Sequence, residues 1–323
     1  MNVSDAGSIP AISTWHGLAI YTVSPYFFTI RVDYRWRNIL HHAELLELEL
    51  PTAERLVREA GVLVQNVYDG NIDVEWKGTN DPVTAADRAA NEYLVRGLQH
   101  AFPGDGILSE EATDDLDRLS RQRVWIVDPL DGTREFIDRI GEFSIMVGLA
   151  IDGKPALGIV FQPVSDLLYR AVPGELAEVV REGTVSALSV STETSPSQMR
   201  LVASRSHRDP LVDTVCRKLG VILDQPSGSV GLKVGLLSTG VCDLYIHPAP
   251  GLKEWDTCAP DAILRAAGGT ITDAWGRPLV YNRSDFRQRW GLIASNGVIH
   301  AQIVAATIEA AEEAGYTEES GFW

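Results

Sequence analysis

Two carboxylates, Asp128 and Asp131, end a short apolar run in the string Trp125-Ile126-Val127-Asp128-Pro129-Leu130-Asp131-Gly132-Thr133-Arg134-Glu135-Phe136. The apolar residues read as a buried strand. Pro129 has no N–H to give a ladder, so strand pairing is expected to stop there. Gly132-Thr133 can open a helix, whose first-turn N–H groups attract anions, phosphate above all. Two carboxylates beside a phosphate cradle would repel the phosphate unless cations lie between them. The chemistry implied is that of a divalent-metal phosphatase. Oxygen-only ligands favour Mg²⁺ or Mn²⁺, and no His or Cys set suits zinc.

The same string resembles the D-P-[IL]-D-G-T-x-x-F signature of the inositol monophosphatase superfamily. These are lithium-sensitive, magnesium-dependent phosphatases that include the 3′(2′),5′-bisphosphate nucleotidases. Four pieces carry the resemblance across about residues 77 to 269. Lys77-Gly78-Thr79-Asn80-Asp81-Pro82-Val83-Thr84-Ala85-Ala86-Asp87 is similar to the K-x(4)-P-V-T-x-x-D entry of the nucleotidases, Leu108-Ser109-Glu110-Glu111 is the second piece, and the Asp128 string is the third. Glu254-Trp255-Asp256-Thr257-Cys258-Ala259 is similar to the W-D-x-x-A motif. The resemblance implies that Glu110, Asp128, Asp131, Asp256 and the carbonyl of Leu130 bind two or three Mg²⁺ ions, which Mn²⁺ can replace. It further implies that Thr133, held by Asp87, activates the attacking water for in-line hydrolysis of a phosphomonoester, with Li⁺ inhibiting. Read without the resemblance, Asp87 is a first-turn helix acid and Asp256 a helix N-cap.

Three features favour a nucleotide. Arg134-Glu135-Phe136, Gly141-Glu142-Phe143-Ser144 and Ala203-Ser204-Arg205-Ser206-His207 are similar to segments of CysQ-type bisphosphate nucleotidases. Gly132, Thr133, Arg134, Ser204, Arg205, His207, Ser229, Lys233 and Asp256 are the expected substrate contacts. In Ser227-Gly228-Ser229-Val230-Gly231-Leu232-Lys233, loop N–H groups and an ammonium suit a phosphate; a turn followed by a surface lysine is the plainer reading. His247 stands where relatives carry Arg. The expected reaction converts adenosine 3′,5′-bisphosphate to AMP and phosphate, with phosphoadenosine phosphosulfate as a second substrate. Inositol-1-phosphate or fructose-1,6-bisphosphate hydrolysis at the same metals is the alternative. A non-catalytic phosphometabolite sensor is the alternative of another class.

The 323 residues carry a net charge of −16, which argues against a nucleic acid polymer or an anionic membrane as partner. The expected partner is a small phosphorylated metabolite, and monomer and homodimer both stay open. Three cysteines with no metal-ligand spacing fit a reduced, cytoplasmic setting. Gly17 to Ile30 is apolar but too short to span a bilayer, so no stable membrane association is expected.

To position these residues the pattern predicts helices over 52–66, capped by Thr52, over about 85–101, over 209–219, capped by Asp209, and one ending at Gly268-Gly269. Asp81-Pro82 reads as a chain break. Strands are expected at 107–108, at 143–151 and 156–161 around the Asp152-Gly153 turn, at 166–171 and at 201–203. Residues 1–50 read as an extension of unknown role, 51–190 as a metal-bearing half and 191–323 as a second half that completes the site. The Ser/Thr-rich run 185–196 marks the boundary. The fold class is layered α/β (α+β), and the resemblance implies alternating helix and sheet layers.

Overall fold

The computed structural model describes residues 45–78, 81–206, 208–248 and 251–319. The apolar run 17–30 and most of the expected extension lie outside these residues. A helical turn at Leu45–Glu49 leads into α1, Leu50–Asp69. The helix therefore starts earlier than Thr52, because Pro51 fits the first turn, where no N–H is needed. Buried Glu49 accepts a 2.5 Å bond from Arg123, so the folded body already includes it.

β1 (Val74–Gly78) and β2 (Asp81–Thr84) pair antiparallel. Asp81-Pro82 is thus a strand of a small hairpin rather than a break. β2 runs directly into α2, Ala85–Ala101, whose Ala86, Ala90, Leu94 and Leu98 are buried. A mostly antiparallel sheet of seven strands follows: β3 (Gly106–Ser109), β4 (Arg123–Asp131), β5 (Ser144–Ile151), β6 (Lys154–Gln162), β7 (Leu167–Val172), β8 (Leu176–Arg181) and β9 (Thr184–Ala187), neighbours in that order. Between β4 and β5 comes the one-turn helix α3, Thr133–Ile137. All four residues of β9 are exposed, so the run 185–196 begins on the edge strand of this sheet.

The second sheet has the order β11-β10-β12-β14-β13. Its parts are β10 (Arg200–Ser204), α4 (Pro210–Leu219), β11 (Leu223–Ser227), α5 (Val230–Ser238), β12 (Leu244–His247), α6 (Glu254–Ala266), β13 (Thr270–Thr272), β14 (Leu292–Ser295) and α7 (His300–Glu313). Asp209 caps α4 by accepting from Leu211 N–H.

The layers alternate. Trp125 and Val127 of β4 pack with α1 and α2, while Val124 and Ile126 face the opposite way, as the two-residue period of a strand requires. On that opposite side lie α5 and α6, then Val202, Tyr245 and Leu292 of the second sheet. Leu201, Ala203, Leu244 and Ile293 point on to α4 and α7. The order is helices, seven strands, helices, five strands, helices. The inner helix α6 lies close against the large sheet because Gly148 and Gly158 face each other across β5 and β6. A Cβ on Gly158 would sit 2.3 Å from the Ala259 carbonyl oxygen.

Candidate active site

The C-terminal end of β4 and the N-termini of α2, α3, α5 and α6 converge on one cleft of about 480 Å³. Acids in the first turn of a helix are favoured by its dipole. Asp87 and Asp256 each sit third in their helix and each accepts the backbone N–H that precedes it: Thr84 N–H at 2.8 Å, Lys253 N–H at 2.6 Å. Asp256 is therefore not itself the N-cap.

Strand β4 does not end at Pro129. Asp128 pairs with Met146 and Asp131 with Ser144, so Pro129 and Leu130 together oppose Ile145 alone. This is a β-bulge, which tolerates a proline because the ladder is already interrupted there.

Oxygens of Asp128, Asp131 and Asp256 all lie within 4.8 Å of one another. Burial raises all three carboxyl pKa values; at Asp128 the charges of Glu110, Asp131 and Asp256 raise it further. Lys233 opposes the rise at Asp131. Mutually repelling, buried, oxygen-only donors are what a hard divalent cation relieves, so the residues fit a metal site. Glu110 and Leu130 line the same cleft, with Glu110 outside the three-carboxylate group.

Thr133 Oγ1 has two acceptors in reach, the Leu130 carbonyl at 3.1 Å and Asp87 Oδ1 at 3.3 Å. A hydroxyl has one proton, so it serves one acceptor at a time and keeps lone pairs for a third group. The other oxygen of Asp87 takes both Thr84 N–H and Thr84 Oγ1–H, the latter at 2.6 Å. Asp87 is 2% exposed, and its burial raises its pKa.

Ser229 caps α5. Its hydroxyl donates to Asp131 at 2.5 Å, and Gly231 N–H adds a 3.0 Å bond to the same oxygen. Lys233 is 3% exposed rather than a surface lysine. Burial lowers its pKa to about 8 against the opposing pull of Asp131 and other acids, and its Nζ lies 5.3 Å above the Tyr245 ring.

Gly132, Arg134, Ser204 and His247 also line the cleft. Arg205 does not; its guanidinium makes a two-bond pair with Glu142 at 2.6 and 2.9 Å. His207 lies outside the described residues. Glu135, Tyr245 and Lys253 line the cleft without having been singled out from the sequence. Each neighbours a motif, but only the tertiary fold turns it inward. All three cysteines are buried and unpaired; Cys258 fills space against Gly148.

A model of the inositol monophosphatase family matches residues 46–313. The chain belongs to the inositol monophosphatase family. Among curated proteins it is similar to the 3′(2′),5′-bisphosphate nucleotidase CysQ of Escherichia coli K12, 39% identical over 232 residues, covering 70% of this chain and 91% of that protein. It is also similar to the 3′-phosphoadenosine 5′-phosphate phosphatase of Mycobacterium bovis, 39% identical over 62% of this chain and 73% of that one. The crystal structure of CysQ from Bacteroides thetaiotaomicron matches with a TM-score of 0.66 and 32% identity, covering 77% of this chain and 97% of that one. As a member of the inositol monophosphatase family the chain is a phosphatase with an acidic cluster able to bind metal. Among the described residues, no helix is long and apolar enough to cross a membrane.

Proposed function

We propose that the chain is a Mg²⁺-dependent 3′(2′),5′-bisphosphate nucleotidase that converts adenosine 3′,5′-bisphosphate to AMP and phosphate in the cytoplasm. One observation carries the substrate: 39% identity to CysQ over 91% of that enzyme. Asp128, Asp131, Asp256, Glu110 and the Leu130 carbonyl would hold the ions, with Mn²⁺ able to replace Mg²⁺. When bound, the ions neutralise phosphoryl charge and lower the pKa of water.

The chain's own groups handle the proton. Thr133 Oγ1 accepts a hydrogen bond from the attacking water and passes its own proton toward Asp87, whose raised pKa makes it a better acceptor at neutral pH. The P–O bond to ribose breaks, and the ribose oxygen keeps the electron pair and gains a proton from solvent. Lys233 and Arg134 offer positive charge to the phosphates from the cleft wall. The same reading extends to phosphoadenosine phosphosulfate as a second substrate.

The test is phosphate release from adenosine 3′,5′-bisphosphate, inositol-1-phosphate and fructose-1,6-bisphosphate, each with Mg²⁺ and with EDTA. The expected result is EDTA-sensitive turnover with kcat/KM at least about tenfold higher for the nucleotide, or ~1.4 kcal/mol. Equal or greater kcat/KM on a sugar phosphate would overturn the nucleotide reading and leave the metal site standing. Absence of turnover on all three would favour a sensor.

A further inference from the structure

Trp76 is 60% exposed. A single exposed apolar residue is ordinary on a protein surface; the place of this one is not. In the β1–β2 hairpin Trp76 stands opposite Pro82, and Val74 opposite Thr84. Directly opposed residues of an antiparallel pair put their side chains on the same face. Pro82 lines the cleft, and Thr84 binds Asp87, which in turn reaches Thr133. One face of the hairpin thus carries Thr84, which holds Asp87, then Pro82, which lines the cleft, and beside Pro82 the exposed Trp76. The opposite face is anchored elsewhere: Val83 is buried, and Glu75 pairs with Arg88 of α2 at 2.6 Å. The direct run of β2 into α2 ties the hairpin to the helix of the proposed proton acceptor, and the exposed ion pair adds little.

We propose that Trp76 forms a stacking platform for the purine base of the substrate, so that the hairpin face that holds Asp87 also selects a nucleoside phosphate over a sugar phosphate. This rests on the nucleotidase reading. The cleft mixes carboxylates, cations and hydroxyls, which suit ions and phosphates, with Val230, Tyr245, His247 and Leu252. An indole face beside Pro82 adds a flat, exposed apolar surface of the kind on which a base stacks, and such stacking tolerates any aromatic ring.

The experiment compares wild type, Trp76→Ala and Trp76→Phe, each with Mg²⁺, on adenosine 3′,5′-bisphosphate and on inositol-1-phosphate, which has no base. The expected result is a roughly tenfold fall in the nucleotide-to-inositol ratio of kcat/KM for Trp76→Ala, carried mainly by KM, with most of the ratio retained by Trp76→Phe. An unchanged ratio in Trp76→Ala overturns the stacking role. So does an equal loss on both substrates, which would mean that the hairpin acts only by holding Asp87. A wild type without nucleotide preference overturns the nucleotidase reading itself and the platform with it.

Discussion

Asp128 and Asp131 stand three residues apart in one strand, yet their carboxylates meet in one cleft. A regular strand would send residues of odd separation to opposite faces. The bulge at Pro129-Leu130 supplies one extra residue and brings both acids to the same face. The arrangement is costly while no cation is present, because burial and repulsion raise both carboxyl pKa values.

Asp128→Asn should therefore act in opposite directions on activity and on stability. Turnover should fall by at least about a thousandfold, ~4 kcal/mol of transition-state stabilisation. In EDTA, thermal stability should rise by about 1–2 kcal/mol, since a neutral amide removes one repelling charge. Calorimetric melting with and without Mg²⁺ reads both effects, and the Mg²⁺-induced rise in Tm should shrink in the variant. Near-normal turnover at saturating Mg²⁺ would refute the ligand role.

What the sequence discloses divides along range. Helix α2, expected over about 85–101, was legible because Ala86, Ala90, Leu94 and Leu98 keep one spacing. The β5–β6 hairpin was legible from Asp152-Gly153 between apolar runs. Pro129 misled, since a proline that ends a regular ladder is harmless in a bulge, and bulges leave no local pattern. Asp81-Pro82 misled for a related reason: Asp81 pairs with Gly78 and Pro82 with Trp76, and a two-stranded hairpin has only edge strands, where a proline is tolerated. For Lys233 a phosphate contact and a surface lysine both stayed open, because its burial comes from Tyr245 and the acidic cleft, none of them adjacent in sequence. The Arg205–Glu142 pair spans 63 residues and was equally invisible.

Packing far from the motifs should still reach the metal site. Gly158 lets α6 lie against β6, and one turn earlier in that helix is Asp256. Gly158→Ala places a Cβ 2.3 Å from the Ala259 carbonyl oxygen, so α6 must shift outward. The expected outcome is a stability loss of about 1–3 kcal/mol together with a higher Mg²⁺ concentration for half-maximal activity. Denaturant unfolding and a Mg²⁺ titration measure the two; an unchanged titration would show that the helix recoils without moving Asp256.

His300 gives the fold a pH dependence of known sign. Its ring is buried between Thr272 Oγ1 at 2.9 Å and Ser295 Oγ at 2.8 Å, and burial lowers its pKa to about 4. Between the ordinary value near 6.5 and 4, the unfolded chain binds a proton that the folded chain refuses. Stability from this group is complete above about pH 6.5, is lost as pH falls toward 4, and is constant below, on the order of 3 kcal/mol in all. Buried acids with raised pKa values, Asp261 among them, titrate with the opposite sign. The contrast between wild type and His300→Gln isolates the histidine: in urea unfolding, going from pH 7 to pH 5 should cost the wild type more stability, or gain it less, than the variant.

Thr133 separates chemistry from binding. Its hydroxyl lies between the Leu130 carbonyl and Asp87, and the hydrogen bonds that hold Asp87 come from Thr84, so removing Thr133 Oγ1 leaves the acid in place. Thr133→Ala should lower kcat by about 10²–10⁴, the usual worth of a positioned proton-transfer group. KM should stay within a few-fold, because the carboxylates and Lys233 that would meet metal and phosphate in the proposed function are untouched. Thr133→Ser keeps the oxygen and should recover most of the rate. Asp87→Asn should lower kcat similarly while also costing about 1 kcal/mol of stability, since a neutral amide is a weaker acceptor for Thr84 at the start of α2. Steady-state kinetics on all three variants decide the matter: a rise in KM with kcat unchanged in Thr133→Ala would make this threonine a substrate contact and leave Asp87 without a route to the water.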